Sequence, residues 1–260
     1  MKIIIAGYGF VGTAVAHALS GHHELVIVDP RFNRTQIANH EDLDGVIVCV
    51  GTPSADNGDC DLSQVMSVLS EIPNHKRVMI KSTVPPDQLI QLQRRFARLK
   101  LTYSPEFLRA VSATQDFLNQ TYMILGDGDT KFWQSVFQPC LPHCEQYMST
   151  DMTTASMVKY CENTFLATKV AFFNHVYDLC QVNGVNYNEM QTLLAMDPRI
   201  GSSHMQVPGP DGNRGFGGHC FPKDTEAFVQ YAQRAGLPFE LLETTVDYNK
   251  KLQKNNRKNG

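Results

Sequence analysis

The chain has 260 residues, 42% of them hydrophobic and 19% charged, which suffices to bury a core and excludes disordered and collagen-like classes. Its 23 lysines and arginines against 26 aspartates and glutamates leave a formal net charge of −3, so no basic excess points to nucleic acid or an anionic membrane. No apolar run approaches the roughly 20 residues of a membrane span, and Met1–Ile5 is not followed by the apolar region and cleavage site of a signal peptide. Seven scattered cysteines, an odd number, do not form a disulfide pattern; a soluble protein of the reducing cytoplasm is expected.

In chain order, short apolar runs at Lys2–Ala6, Glu24–Val28, Gly45–Val50, Arg77–Lys81, Leu101–Tyr103 and Tyr122–Leu125 alternate with stretches able to form helices. This alternation predicts an α/β fold, a Rossmann-type doubly wound parallel sheet with helices on both faces, over residues 1–150. From about Thr153 apolar residues recur at helical spacing (Met157, Tyr160, Cys161, Phe165, then Val170, Phe173, Val176) for almost thirty residues without a breaker. A long helix therefore opens a mainly helical second domain, 151–260. It continues through a helical stretch at Asn188–Met196, a Gly/Pro-rich loop at Gly201–Gly218 and helical segments from Asp224 onward. The basic tail Lys250–Gly260 reads as a solvated helix end.

Gly7-Tyr8-Gly9-Phe10-Val11-Gly12 follows a strand and opens a helix, a context in which glycines make a tight turn and let backbone N–H groups approach a pyrophosphate. Asp29, at the end of the second strand, is placed to accept hydrogen bonds from an adenosine ribose. Its charge repels a 2′-phosphate, which favours NAD over NADP, although Arg34 lies nearby. Further on, Gly217-Gly218-His219-Cys220-Phe221-Pro222-Lys223-Asp224 sets a thiol at the apparent first turn of a helix, where the dipole and Lys223 favour a thiolate. The strand cysteine Cys49 and the helix cysteines Cys161 and Cys180 read as small buried apolar residues. Cys140, His143 and Cys144 have no second Cys/His pair nearby, so no metal is expected. Lys159 and Asn163, four apart on the long helix, share a face and either form a surface pair or serve one point with a cation and an amide. Lys81–Pro86 and Tyr103–Arg109 read as active-site loops at strand ends, each of which taken singly also has a structural reading.

Taken together these segments resemble the UDP-glucose/GDP-mannose dehydrogenase family. The matches are GYGFVG, GTP at Gly51–Pro53 with DLS at Asp61–Ser63, STVPP, SPEFLR, KYCENTFLATK, DPRIG at Asp197–Gly201 and GFGGHCFPKD, in family order from Gly7 to about Asn249. The resemblance implies a four-electron oxidation of a nucleotide sugar, with UDP-glucose the leading candidate, from alcohol to carboxylate at carbon 6. Two NAD are used, and Cys220 forms a thiohemiacetal and then a thioester. It implies that Lys159 and Asn163 steady charge developing on oxygen, that Thr83 and Asp224 position water, and that Glu106 is the base of hydrolysis. Phe10, Val11, Asp29, Arg34, Thr52, Thr83 and Lys223, with the turn glycines, would approach NAD. Glu106, Phe107, Leu108, Lys159, Asn163, Arg199 and Gly217 would meet the sugar nucleotide. Arg199 would do so across a homodimer built on the long helix.

Four departures from the family pattern stand out. Ala110 and Val111 replace a second carboxylate and a glycine, Asn174-His175 stands where the family has Asn-Glu, the Gly201–Cys220 loop is longer, and the chain stops where relatives are expected to continue into a third, nucleotide-binding domain. Competing readings are a two-electron hydroxyacid dehydrogenase of the related two-domain class, which has no use for Cys220, and a non-catalytic NAD- or sugar-nucleotide-binding remnant.

Overall fold

The computed structural model describes residues 1–32, 36–40 and 42–259, the side chains of 257–259 excepted. It divides into two compact units: Met1–Ala55 with Cys60–Lys159, and Asp56–Asp59 with the residues from Tyr160 onward.

The first unit is built on β1 (Lys2–Ala6), β2 (Glu24–Val28), β3 (Gly45–Val48), β4 (Arg77–Ile80), β5 (Lys100–Tyr103), β6 (Tyr122–Gly126) and β7 (Gln146–Thr150). They form one sheet in the order β2-β1-β3-β4-β5-β6-β7. Ile3, Ile4 and Ile5 have no exposed surface, and Val46, Ile47 and Val48 are equally buried, so successive side chains on both faces of the central strands are covered. Continuous β-branched runs of this kind suit a doubly covered parallel sheet, each fully buried aliphatic side chain contributing about 1.5–3 kcal/mol. The expectation of a wholly parallel sheet needs one correction: β6 runs antiparallel to β5, with Tyr103 opposite Gly126, before β7 resumes the parallel sense beside β6. β7 escaped sequence reading because it is a half-covered outer strand, QYMST, with no apolar run.

Helices α1 (Phe10–Leu19), α2 (Ser63–Glu71), α3 (Pro86–Arg95), α4 (Ala113–Leu118) and α5 (Thr130–Phe137) flank the sheet. α1 buries Gly12, Ala14, Val15, Ala16, Ala18 and Leu19, small residues that let its axis approach the strands. α5 starts where the Asp129 carboxylate accepts the Phe132 N–H at 3.1 Å, and it drives Trp133 and Phe137 into a core shared with Ile3, Ile5 and Phe117. The Trp133 ring lies so close to Gly45 that a Cβ there would come within 2.9 Å of it. Cys140 and Cys144 belong to the same core, and burial pushes the Cys140 thiol up to about 11.

α6 (Met152–Asn183) is a single helix of 32 residues, as its unbroken periodicity predicts, and the division between the units falls within it, after Lys159. In the second unit it is joined by α7 (Tyr187–Leu194), α8 (Phe221–Arg234) and α9 (Glu240–Asn259). Asn186 caps α7 by accepting the Asn188 N–H at 3.1 Å. Phe173, Cys180, Tyr187, Met205 and Val207 form a small core in which the Tyr187 hydroxyl donates to the Met205 carbonyl at 2.5 Å. Tyr160 stacks on Phe228 at 5.3 Å. Arg234 on α8 holds Asp59 at 2.6 Å, which anchors the short segment contributed by the N-terminal half. Cys161 is exposed rather than buried, and it begins a stripe with Phe165, Phe172, Leu179 and Val182 whose spacing keeps to one face of α6. Among the described residues no helix is long and apolar enough to cross a membrane.

Candidate functional site

In the first unit the chain order reverses between β1 and β3, and the two loops that leave their carboxyl ends meet there. Gly7, at φ +92°, sits so close to Cys49 and Val50 that a Cβ would come within 2.7 Å of their backbone. A Cβ on Gly12 would lie 2.0 Å from the Gly7 carbonyl oxygen. A Cβ on Gly9 would meet nothing within 4 Å, and Gly9 caps α1 without any side-chain hydrogen bond. Two glycines thus close the turn, while the third leaves open space in front of the helix N-terminus, where amides and dipole favour a phosphate. Phe10 and Val11 are half-buried in the first turn of the helix. These residues fit a dinucleotide.

Asp29 lies past the end of β2 and is 5% exposed. One carboxylate oxygen accepts the Tyr8 N–H at 2.7 Å and Arg31 Nη2 at 2.8 Å; the other accepts the Arg31 N–H and Nε, both at 2.9 Å. The Arg31 guanidinium holds this carboxyl far below the usual carboxylate range. A carboxylate offers about four acceptor positions, and here all are taken, so ribose hydroxyls would bond Asp29 only by displacing the exposed Arg31 fork. Sequence reading passed over Arg31 in favour of Arg34, which lies outside the described residues. Thr52 is buried beyond β3, and Thr83 is half-buried between β4 and α3, with the Cys60 thiol approaching the carbonyl of each.

The loop after β5 carries Glu106. Its carboxylate is 6% exposed, one oxygen lying 3.1 Å from Lys159 Nζ and the other accepting the Leu108 N–H at 2.7 Å. Lys159 also donates to the Glu106 carbonyl and lies 5.4 Å from the Phe107 ring centre. Glu106 and Lys159 therefore form a buried ion pair that the Leu108 N–H completes. Lys81, which sequence reading placed in the Lys81–Pro86 loop without a role of its own, is buried just past β4 with its ammonium 3.2 Å from both the carbonyl and hydroxyl of Ser104. Burial pulls its pKa down to about 8. Ala110 and Val111 are exposed beside the Arg109–Asp116 ion pair, in which the guanidinium holds the Asp116 carboxyl down to about 2.

In the second unit Cys220 is the N-cap of α8, with Pro222 in the first turn, the placement expected from the motif. Asp224 is fully buried one turn on: Asn163 Nδ2 donates to one oxygen at 2.5 Å and Lys223 Nζ to the other. Lys159 and Asn163, expected to act at one point, thus each have their own carboxylate, Glu106 and Asp224 respectively. Gly217 is exposed in the preceding loop. Arg199 is exposed and paired with Asp197 at 2.5 Å. Arg214, in the lengthened loop, spends its guanidinium internally on Asn174 and on Asp178 at 2.7 Å.

A glycine turn at the switch point of a mostly parallel sheet, followed by a helical unit that presents a thiol at a helix start, defines a dinucleotide-binding protein of the dehydrogenase type. Residues 30–138 match the NAD binding domain, and residues 153–251 the central domain, of the UDP-glucose/GDP-mannose dehydrogenase family, and the chain belongs to that family. NAD is the cofactor that the first of these domains binds. The chain is similar to a UDP-glucose 6-dehydrogenase of Rickettsia felis, with 32% identity over 238 residues, covering 86% of this chain and 52% of that one. It thus spans about half the length of the curated relatives it matches. The solved UDP-glucose dehydrogenase of Pyrobaculum islandicum superposes with a TM-score of 0.84 at 26% identity, over 96% of this chain and 68% of that one. The 3-hydroxyisobutyrate dehydrogenase of Mycobacterium tuberculosis shares the fold at a TM-score of 0.74 and 16% identity, over 96% of this chain and 92% of that one.

Proposed function

We propose that the protein oxidises the primary alcohol of a nucleotide sugar, UDP-glucose first among candidates, to a uronate with two NAD and one water. The observation that carries this reading is Cys220 at the N-cap of α8, one turn before the buried Asp224 that Asn163 and Lys223 hold in place. A two-electron hydroxyacid dehydrogenase shares the fold but has no step that needs a thiol.

The Gly7–Gly12 turn and Asp29, once the Arg31 fork gives way, would hold NAD, which would supply the hydride acceptor for each of two oxidations of the sugar. In the first, carbon 6 loses a hydride and its hydroxyl proton to become an aldehyde. The Cys220 sulfur then adds to the carbonyl carbon, giving a thiohemiacetal whose oxygen is steadied by Lys159 and Asn163, donors that stabilise developing negative charge. Loss of the second hydride and of that hydroxyl proton leaves a thioester. Water, oriented by Thr83 and Asp224, attacks the acyl carbon and releases the Cys220 thiol and the carboxylate, with Glu106 taking the proton of the water. Because Glu106 rests against Lys159 and the Leu108 amide, it must loosen from one of them to act as that base. Phe107, Leu108 and Gly217 border the sugar, and Thr52 and Lys223 border NAD. Arg199 reaches the diphosphate of a second copy, and the apolar stripe of α6 from Cys161 to Val182 supports a homodimer formed by that helix.

Incubation with UDP-glucose, GDP-mannose and other sugar nucleotides, counting NADH formed per sugar consumed, tests the reading. Two NADH and a uronate are expected; one NADH means a two-electron dehydrogenase, and none means a binding protein.

A further inference from the structure

The loop that ends at Cys220 buries Met205, Val207 and Phe216, and its last stretch is held in addition by side-chain amides. Asn249, Gln253 and Asn256 lie on one face of α9, four and three residues apart, and all three amides reach the backbone of Arg214 and Phe216. Asn249, 6% exposed, accepts the Phe216 N–H at 2.7 Å and donates to the Phe216 carbonyl at 2.9 Å, so its amide pairs with that residue as a neighbouring strand would. Gln253 Nε2 donates to the carbonyls of Arg214 and Phe216, both at 3.2 Å. Asn256 donates to the Arg214 carbonyl at 2.9 Å and accepts the Arg214 N–H at 3.3 Å. From α6, Asn174, 1% exposed, accepts the Gly215 N–H at 3.1 Å. Each backbone N–H from 214 to 216 therefore ends on a side-chain amide. Gly215, at φ +81°, passes so close that a Cβ would lie 2.3 Å from Asn249 Oδ1.

Buried amides are retained in a core only where every partner is present, since an unmet buried peptide group costs about 1–3 kcal/mol. Here they fix the stretch that leads directly into Gly217, Gly218, His219 and Cys220. The first three of these are exposed, and two are glycines. Without an anchor immediately upstream, the approach to α8 would sample many conformations.

We propose that Asn249, with Asn174, Gln253 and Asn256, clamps residues 214–216 and thereby positions Cys220 for addition to the substrate aldehyde. These are positioning residues, and the role rests on the proposed function. The test compares wild type with Asn249→Ala and Gln253→Ala, the second milder in case the first does not fold. Hydrogen exchange of the 214–220 segment should accelerate in both variants while α8 and the β1–α1 turn keep their protection. For Asn249→Ala, kcat for uronate formation should fall on the order of a hundredfold with KM for NAD unchanged, the signature of misplaced reacting atoms rather than lost binding. For Gln253→Ala the fall should be severalfold. Folded variants with kcat and exchange within about twofold of wild type would overturn the clamp alone. A wild-type protein that oxidises no sugar nucleotide would instead overturn the proposed function and, with it, this role.

Discussion

The two glycine-rich loops of this chain are made in opposite ways. The Gly7–Gly12 turn is closed by backbone against backbone: added Cβ atoms at Gly7 and Gly12 would strike main-chain atoms at 2.7 and 2.0 Å. The Gly215–Gly218 approach to Cys220 is held by side chains, and the atom a Cβ at Gly215 would strike is the Asn249 amide oxygen. A turn made by strand and helix geometry has its shape whenever the sheet forms, whereas a loop made by amides depends on two distant helices delivering the right groups. The first suits a binding cradle, and the second lets one substitution alter how Cys220 is presented.

The sharpest break of this comparison is Cys220→Ser, which keeps the loop and removes the thiol proposed as nucleophile. Uronate formation should fall at least about a thousandfold, with NAD binding and the circular dichroism spectrum unchanged. Undiminished uronate formation would refute the thioester route. Next, Gly12→Ala and Gly9→Ala separate a glycine needed by the fold from one needed by the ligand. Gly12→Ala should cost about 1–3 kcal/mol in urea unfolding, the scale of overpacking. Gly9→Ala should stay within about 0.5 kcal/mol of wild type yet weaken NAD in calorimetric titration. Equal stability of the two would mean that backbone contact does not close the turn.

A smaller effect is expected at Asp29. Asp29→Ala should weaken NAD roughly tenfold and narrow its advantage over NADP, whereas Arg31→Ala, by clearing a competitor from the same oxygens, should tighten NAD a few-fold. Cofactor titrations of both variants check this, and weaker NAD binding by Arg31→Ala would show that the arginine helps the ribose rather than excludes it. The smallest is a pH effect. Lys81 has a folded pKa of about 8 against 10.5 for an unperturbed lysine, so between these values the unfolded chain binds more protons and stability rises with pH. The stability of wild type relative to Lys81→Met should therefore improve as pH is raised through that window and stay level below it. A flat difference in urea unfolding across the window would show that the buried ammonium carries no such penalty.

The parts legible in the sequence are those in which one residue type has one physical use. Gly7, Gly9 and Gly12 after a β-branched run, Asp29 at the next strand end, and the unbroken periodicity of α6 each led to the observed element. Cys220 before Pro222 led to a helix N-cap. What escaped depends on pairings between residues far apart. β7 has no apolar run because its side chains are half-covered, and the reversed sense of β6 is set by the connection from β5. Arg31 looks like any surface arginine until Asp29 is beside it. Asn249, Gln253 and Asn256 are polar residues in a strongly charged helix, and spacing alone reads them as a solvated face; no local signal announces that their partners are the peptide groups of Arg214 and Phe216.

Residues Asp56–Asp59 belong to the second unit although they are spelled out a hundred positions before the rest of it, and Asp59 is fastened there by Arg234 on α8. The units are thus linked by more than one covalent crossing, and one of these lies inside α6. A truncation that ends at Lys159 would sever a helix and leave Asp59 without its arginine, while one that begins at Tyr160 would lack the segment altogether. During synthesis this small loop leaves the ribosome early and must wait for α8 before it can dock. Expression of either half alone is therefore a poor route to its structure, and mutational studies belong on the intact chain.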